Sequence, residues 1–202
     1  MKKKLAMITA AVALGALVTV GATLAWFTSS SSVTNVVTTG NIKVEVSEPN
    51  YTKAGGNEAF EDMTPNKKIY KDPTFTLKNS NDAYLRSTVK ITMTGAKEGT
   101  PTPTVEELGF KLAENWVNKD GVYYYTQIAK NDVPVVLFKN LETDNTKPGY
   151  TMQIPANWNN AYQNATITID VEVEAVQADN FTPDFESATP WGNVEVEKDN
   201  AN

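Results

Sequence analysis

The sequence predicts an all-β chain, an antiparallel β-sandwich of about seven to nine short strands. Three observations carry that expectation. Thr166 to Val176, TITIDVEVEAV, places Ile167, Ile169, Val171, Val173 and Ala175 on one face, with Thr166, Thr168, Asp170, Glu172 and Glu174 on the other. A period of two over that length marks a half-buried strand whose polar face meets water. Leu85 to Thr94 repeats the pattern: Leu85, Val89, Ile91 and Met93 point inward, Arg86, Thr88, Lys90 and Thr92 outward, and Ser87 interrupts the inward row. Turn-forming residues then recur between short apolar runs along the chain.

In chain order, the first strand is expected at Asn41 to Ser47, where Ile42, Val44 and Val46 face one way and Lys43 and Glu45 the other. Pro49 to Asn66, rich in Gly, Asn, Lys and acids, is expected to be a long surface loop. Shorter strands are expected at Phe75 to Lys78, Asn115 to Val117, Val122 to Ile128, Val135 to Phe138 and Thr151 to Ile154. Asn118-Lys119-Asp120-Gly121 joins two of them, and Asp-Gly between apolar runs signals a hairpin because glycine tolerates positive φ. Val105 to Leu108, after Pro101 and Pro103, has the composition of one helical turn. From Pro183 the chain is proline-bearing and acidic, so residues 183–202 are expected to be a mostly flexible tail, the competing reading being that Trp191 and the alternating Val194 and Val196 dock as an edge strand.

The first residues read as an export signal. Lys2, Lys3 and Lys4 precede an uncharged run from Leu5 to Leu24, a positive region followed by an apolar one. Cleavage is expected after Ala25, between Ala25 and Trp26; the competing reading is an uncleaved membrane anchor, for which the run is long enough. Without those three lysines, 15 basic residues face 24 acidic ones, a net charge of −9. That balance excludes nucleic acid as a partner, since nothing would neutralise its phosphates. It also leaves the membrane as a partner only through the leader.

The chain has no Cys and no His. Its stability must therefore come without disulfides, and the usual zinc ligands and Ser-His or Cys-His nucleophile pairs are missing. No cofactor, metal or catalytic residue is expected. Ser87-Thr88-Val89-Lys90 fits a serine-lysine spacing, but on a strand those two positions point to opposite faces. The acid pairs Glu172 with Glu174 and Glu195 with Glu197 could ligate calcium or act on sugars; the simpler use is a solvated strand face that discourages edge-to-edge pairing. Tyr123 and Tyr125 should share one face of their strand and Tyr124 the other, which serves cross-strand aromatic pairing. Trp158, between Asn157 and Asn159, and Tyr124 are the candidate surface contacts, and Ser29 to Ser32 are expected to be a flexible joint.

Several stretches, in order, resemble the TasA/camelysin family. They are Lys2-Lys3-Lys4, Ala25-Trp26-Phe27-Thr28, Val36 to Val46 with Thr38-Thr39-Gly40-Asn41, Lys71-Asp72-Pro73 and Asn81 to Arg86. Gly121 to Tyr125, Pro134 to Phe138 and Val173 to Ala178 continue the likeness, which covers most of the chain. The resemblance implies a jelly-roll-like sandwich, released by a signal peptidase of the SipW type and built into extracellular fibres of Gram-positive bacteria. Some members are labelled zinc peptidases; a chain without histidine has no H-E-x-x-H helix to hold the metal. The resemblance further implies that residues 26–40 form a donor segment, with Trp26, Phe27, Val33, Val36 and Val37 as apolar anchors completing the sheet of another copy or of a related subunit; the competing reading is that Trp26 and Phe27 begin the chain's own first strand or stay at the membrane interface. The expected organisation is thus a leader over 1–25, the donor segment, a sandwich over 41–182 and the tail. A glycan-binding surface adhesin built on Trp158 and the tyrosine hairpin is the competing expectation.

Overall fold

The computed structural model describes residues 42–56, 64–194 and 196, together with the backbone of Ser29–Ser30 and Val33–Asn35. The chain is all-β. Its centre is a pair of twelve-residue strands, β6 (Ala83–Thr94) and β11 (Thr166–Gln177), antiparallel over their whole length from Thr166 opposite Thr94 to Gln177 opposite Ala83. β-Branched residues make up seven of the twelve in β11 and five of the twelve in β6, as a pleated and half-buried surface favours. The alternation in β11 is realised residue by residue: Ile167, Ile169, Val171, Val173 and Ala175 are buried and the residues between them are half-exposed.

The principal sheet continues from β6 to β8 (Val122–Tyr125) and then to β7 (Trp116–Lys119). Lys119 pairs with Val122, so Asp120 and Gly121 alone make the turn, at φ of 52° and 83°. Positive φ at both central residues is the turn whose twist matches that of the flanking strands. The Asn118 side chain accepts the Gly121 N–H at 2.9 Å and closes it.

A second sheet of β3 (Val44–Ser47), β5 (Thr74–Leu77) and β9 (Val135–Val136) shares one core with the first. Phe75 meets Trp116 edge-on across the gap at 5.9 Å, Tyr123 meets Phe138 at 6.5 Å, and the Trp116 indole donates to the Val136 carbonyl at 3.0 Å. A two-stranded ribbon of β4 (Lys68–Ile69) and β10 (Met152–Gln153) completes the pairing. Every long strand lies where the period-two reading puts it, with Val122 to Ile128 ending early at Tyr125 and Val135 to Phe138 at Val136.

The expected turn at Val105 to Leu108 is present. Thr104 and Glu107 each bond the other's backbone N–H, at 3.1 and 2.9 Å, and Leu108 is fully buried. That reciprocal pair satisfies two N–H groups at once.

Two expectations need correction. The stretch expected as a loop over Pro49 to Asn66 begins as a short helix, α1 (Pro49–Lys53), with Tyr51 buried; residues 57–63 lie outside the described residues. Its amide donors are met from afar, since the Asp72 carboxylate accepts Asn50 N–H at 3.0 Å and Tyr51 N–H at 3.0 Å. The tail is not free up to Val194 either. After a 3-10 turn at Ala178–Asn180, residues 181–194 lie against the outer face of the principal sheet, and Trp191 is 2% exposed. This stretch docks by side chains and not as an edge strand: its own backbone bonds, such as Asp184 N–H to the Pro190 carbonyl at 3.0 Å, are internal.

Candidate assembly edge and outer face

A strand fully paired on one side presents N–H and C=O groups on the other, and these must be satisfied. β11 is that strand. β6 occupies one side along its entire length; on the other, among the described residues, two short strands pair with it. β1 (Ser29–Ser30) lies opposite Ile167 and Thr168, and β2 (Val33–Asn35) lies opposite Val171 to Val173. Both run parallel to β11, beside sheets whose other strand pairs are antiparallel. β2 also lies beside β3, so the segment sits at the seam where the two sheets meet.

The edge is long and selective. Twelve residues at about 3.4 Å each give roughly 40 Å of strand. Pairing covers Ile167–Thr168 and Val171–Val173, whereas no described strand lies opposite Glu174 to Gln177 on this side. Asp170, Glu172 and Glu174 project from the polar face of β11, so two β11 edges brought together would repel. Trp26 to Asn41 has no charge and meets no such penalty.

Of the expected anchors, Val33 is placed by its backbone directly opposite Val171. Ala25, Trp26, Phe27, Val36 and Val37 lie outside the described residues, as do Glu195 and Glu197. Ser29 and Ser30, expected in a flexible joint, form a strand.

No protein-family model, curated protein or solved structure matches the chain.

Both candidate surface contacts are corrected by the structure. Trp158 is 9% exposed and stacks on Tyr162, with rings parallel within 3° and 4.1 Å apart, as part of the core. Tyr124 does face away from the core, as alternation requires, but Trp191 covers it edge-on at 6.0 Å. The adhesin reading loses the two rings it relied on. Ser87 is equally internal: its hydroxyl donates to the Glu172 carbonyl at 2.7 Å, while Lys90 is exposed.

What the sequence reading missed is the aromatic cover on the outer face. Phe181 and Phe185 meet Tyr84 edge-on at 6.1 and 6.3 Å, and Phe181 meets Trp191 at 5.8 Å. The Arg86 guanidinium lies 4.7 Å over the Trp191 ring and pairs with the Glu174 carboxylate. A cation held on an indole face, with a carboxylate beside it, fixes the ring by its quadrupole as well as by area. The available signal was three aromatics, Phe181, Phe185 and Trp191, in a stretch otherwise too polar to need them.

Proposed function

We propose that the chain is an exported structural subunit of extracellular fibres, as its resemblance to the TasA/camelysin family implies, and that it has no catalytic role. In this reading a SipW-type signal peptidase frees the chain at Trp26. The liberated segment of one copy, or of a related subunit, then takes the place beside β11 of the next. The observation that carries the reading is the long β11 edge, paired beyond β6 by an uncharged segment from the front of the chain.

The same pairing made on the chain's own β11 is the capped, unassembled state. Exchange for a neighbour's segment keeps every backbone bond and adds contact between copies. If Trp26 and Phe27 bury fully in that neighbour, each contributes roughly 2–3 kcal/mol of transfer free energy before ordering costs are subtracted. Head-to-tail repetition of such a contact does not close, and the product is a filament.

Electron microscopy of protein beginning at Trp26 beside protein beginning at Val33 tests this directly. Filaments are expected from the first and not the second. Filaments of equal length and number from both would remove the aromatic anchors from the account.

A further inference from the structure

The chain carries a buried cluster that the fibre reading does not use. Lys71, just before β5, is completely buried, and its Nζ lies 2.7 Å from Oε2 of Glu48, the residue that follows β3. The Glu48 side chain is 7% exposed, and its other oxygen, Oε1, is buried without a hydrogen-bond partner. The Tyr51 ring closes the site, with its centroid 4.5 Å from Nζ.

The backbone beneath is immobilised. The Lys71 N–H donates to the Thr151 hydroxyl oxygen at 2.9 Å, and that hydroxyl donates back to the Lys71 carbonyl at 2.5 Å. Asp72 is committed to α1 through Asn50 and Tyr51.

The geometry points to an amide bond between Lys71 Nζ and Glu48 Cδ, which the chain forms on itself with release of one water molecule. The bond would tie the end of β3 to the start of β5 in a chain with no cysteine to make a disulfide.

In water an amine and a carboxylic acid stay apart because both ionise and are well solvated. Burial works against that preference: taking charges out of water is costly, and an unpartnered carboxylate oxygen adds to the cost. Desolvation lowers the Lys71 ammonium below its ordinary value, against the opposing pull of Glu48, Asp72 and Asp170. The neutral pair, amine beside carboxylic acid, is reached by moving one proton along the existing Nζ to Oε2 hydrogen bond.

Nζ then forms its bond to Cδ. A second proton passes from nitrogen to a carboxyl oxygen, the carbon–oxygen bond breaks, and that oxygen leaves as water. The amide keeps one carbonyl oxygen and one N–H, so both buried charges disappear together. Fixed contact of the two groups supplies an effective concentration of about 10⁵–10⁸ M for well-oriented pairs, far above that of the water that would reverse the step.

The test is peptide mass spectrometry of the full chain, denatured and digested with trypsin. A closed bond protects Lys71 from cleavage and joins residues 44–53 to residues 69–78. The expected product is one species whose mass is the sum of those two peptides less one water, absent from the Lys71→Arg variant, whose guanidinium is not acylated. Recovery of free 44–53 together with cleavage after Lys71 overturns the inference. So does a linked species that persists in Lys71→Arg, because it would have used another amine. The readout is indifferent to whether filaments form.

Discussion

Trp191 shows how far one side chain can move an element. It lies among Pro190, Gly192 and acids, where composition favours a free tail, yet it is buried under Phe181 and over Tyr124, with Arg86 on its face. Truncation removes an aromatic ring from a packed site, at a cost of about 3–5 kcal/mol. The indole nitrogen has no partner, however, and an unmet buried donor costs about 1–3 kcal/mol. Trp191→Ala is therefore expected to lower the urea midpoint strongly, whereas Trp191→Phe, which discards the orphan N–H with part of the ring, should stay within about 1 kcal/mol of the parent. Equal losses in both variants would mean that the indole nitrogen is satisfied. Burial of this kind was not legible beforehand, because it depends on Tyr84, Arg86 and Tyr124 from distant strands presenting one apolar face. Trp158 escaped for a related reason: its partner Tyr162 is near in sequence, but a loop has no period to say which way either ring turns.

The strands that could be read from sequence are those whose burial alternates. β6 and β11 have buried or half-buried residues on one side at every second position, and a slip of one residue would expose them all. The Asp120-Gly121 turn was legible because its signal is local and steric. Gly121 sits at φ 83° with nothing within 4 Å of the position a Cβ would take, so substitution strains the backbone without a clash. Gly121→Ala is expected to cost about 1–2 kcal/mol, measured by thermal unfolding. An unchanged midpoint would show that this turn is not held as described. α1 was not legible: five residues are too few for a helical period, and its carboxylate cap, Asp72, arrives from 22 residues away. The parallel course of β1 and β2 was equally hidden, since alternation fixes a strand's faces and not its direction.

Across the molecule, one core joins both sheets, and the buried Tyr123 with the half-buried Tyr70 gives its stability an alkaline limit. Burial, with Glu106 adding to it, raises the Tyr123 phenol above its ordinary value of 10.0. Burial, with Asp72 adding to it, raises Tyr70 likewise. Above that pH the unfolded chain loses these protons first, so the folded state holds more of them and stability falls as pH rises. Tyr123→Phe is expected to flatten this alkaline decline in chemical unfolding; an identical slope would assign the decline to other groups.

The fibre proposal rests on β11 accepting the front segment of another copy in place of its own. The register places Val33 opposite Val171, and neighbouring strands bring such positions within disulfide reach. The chain's lack of cysteine makes the experiment clean. Val33→Cys protein and Val171→Cys protein, each with a single thiol, are mixed under assembly conditions and oxidised. The account predicts a disulfide-linked heterodimer of the two variants. Failure to form it, while a chain carrying both substitutions closes its disulfide within the monomer, would show that the segment serves its own subunit alone and would contradict assembly by strand donation.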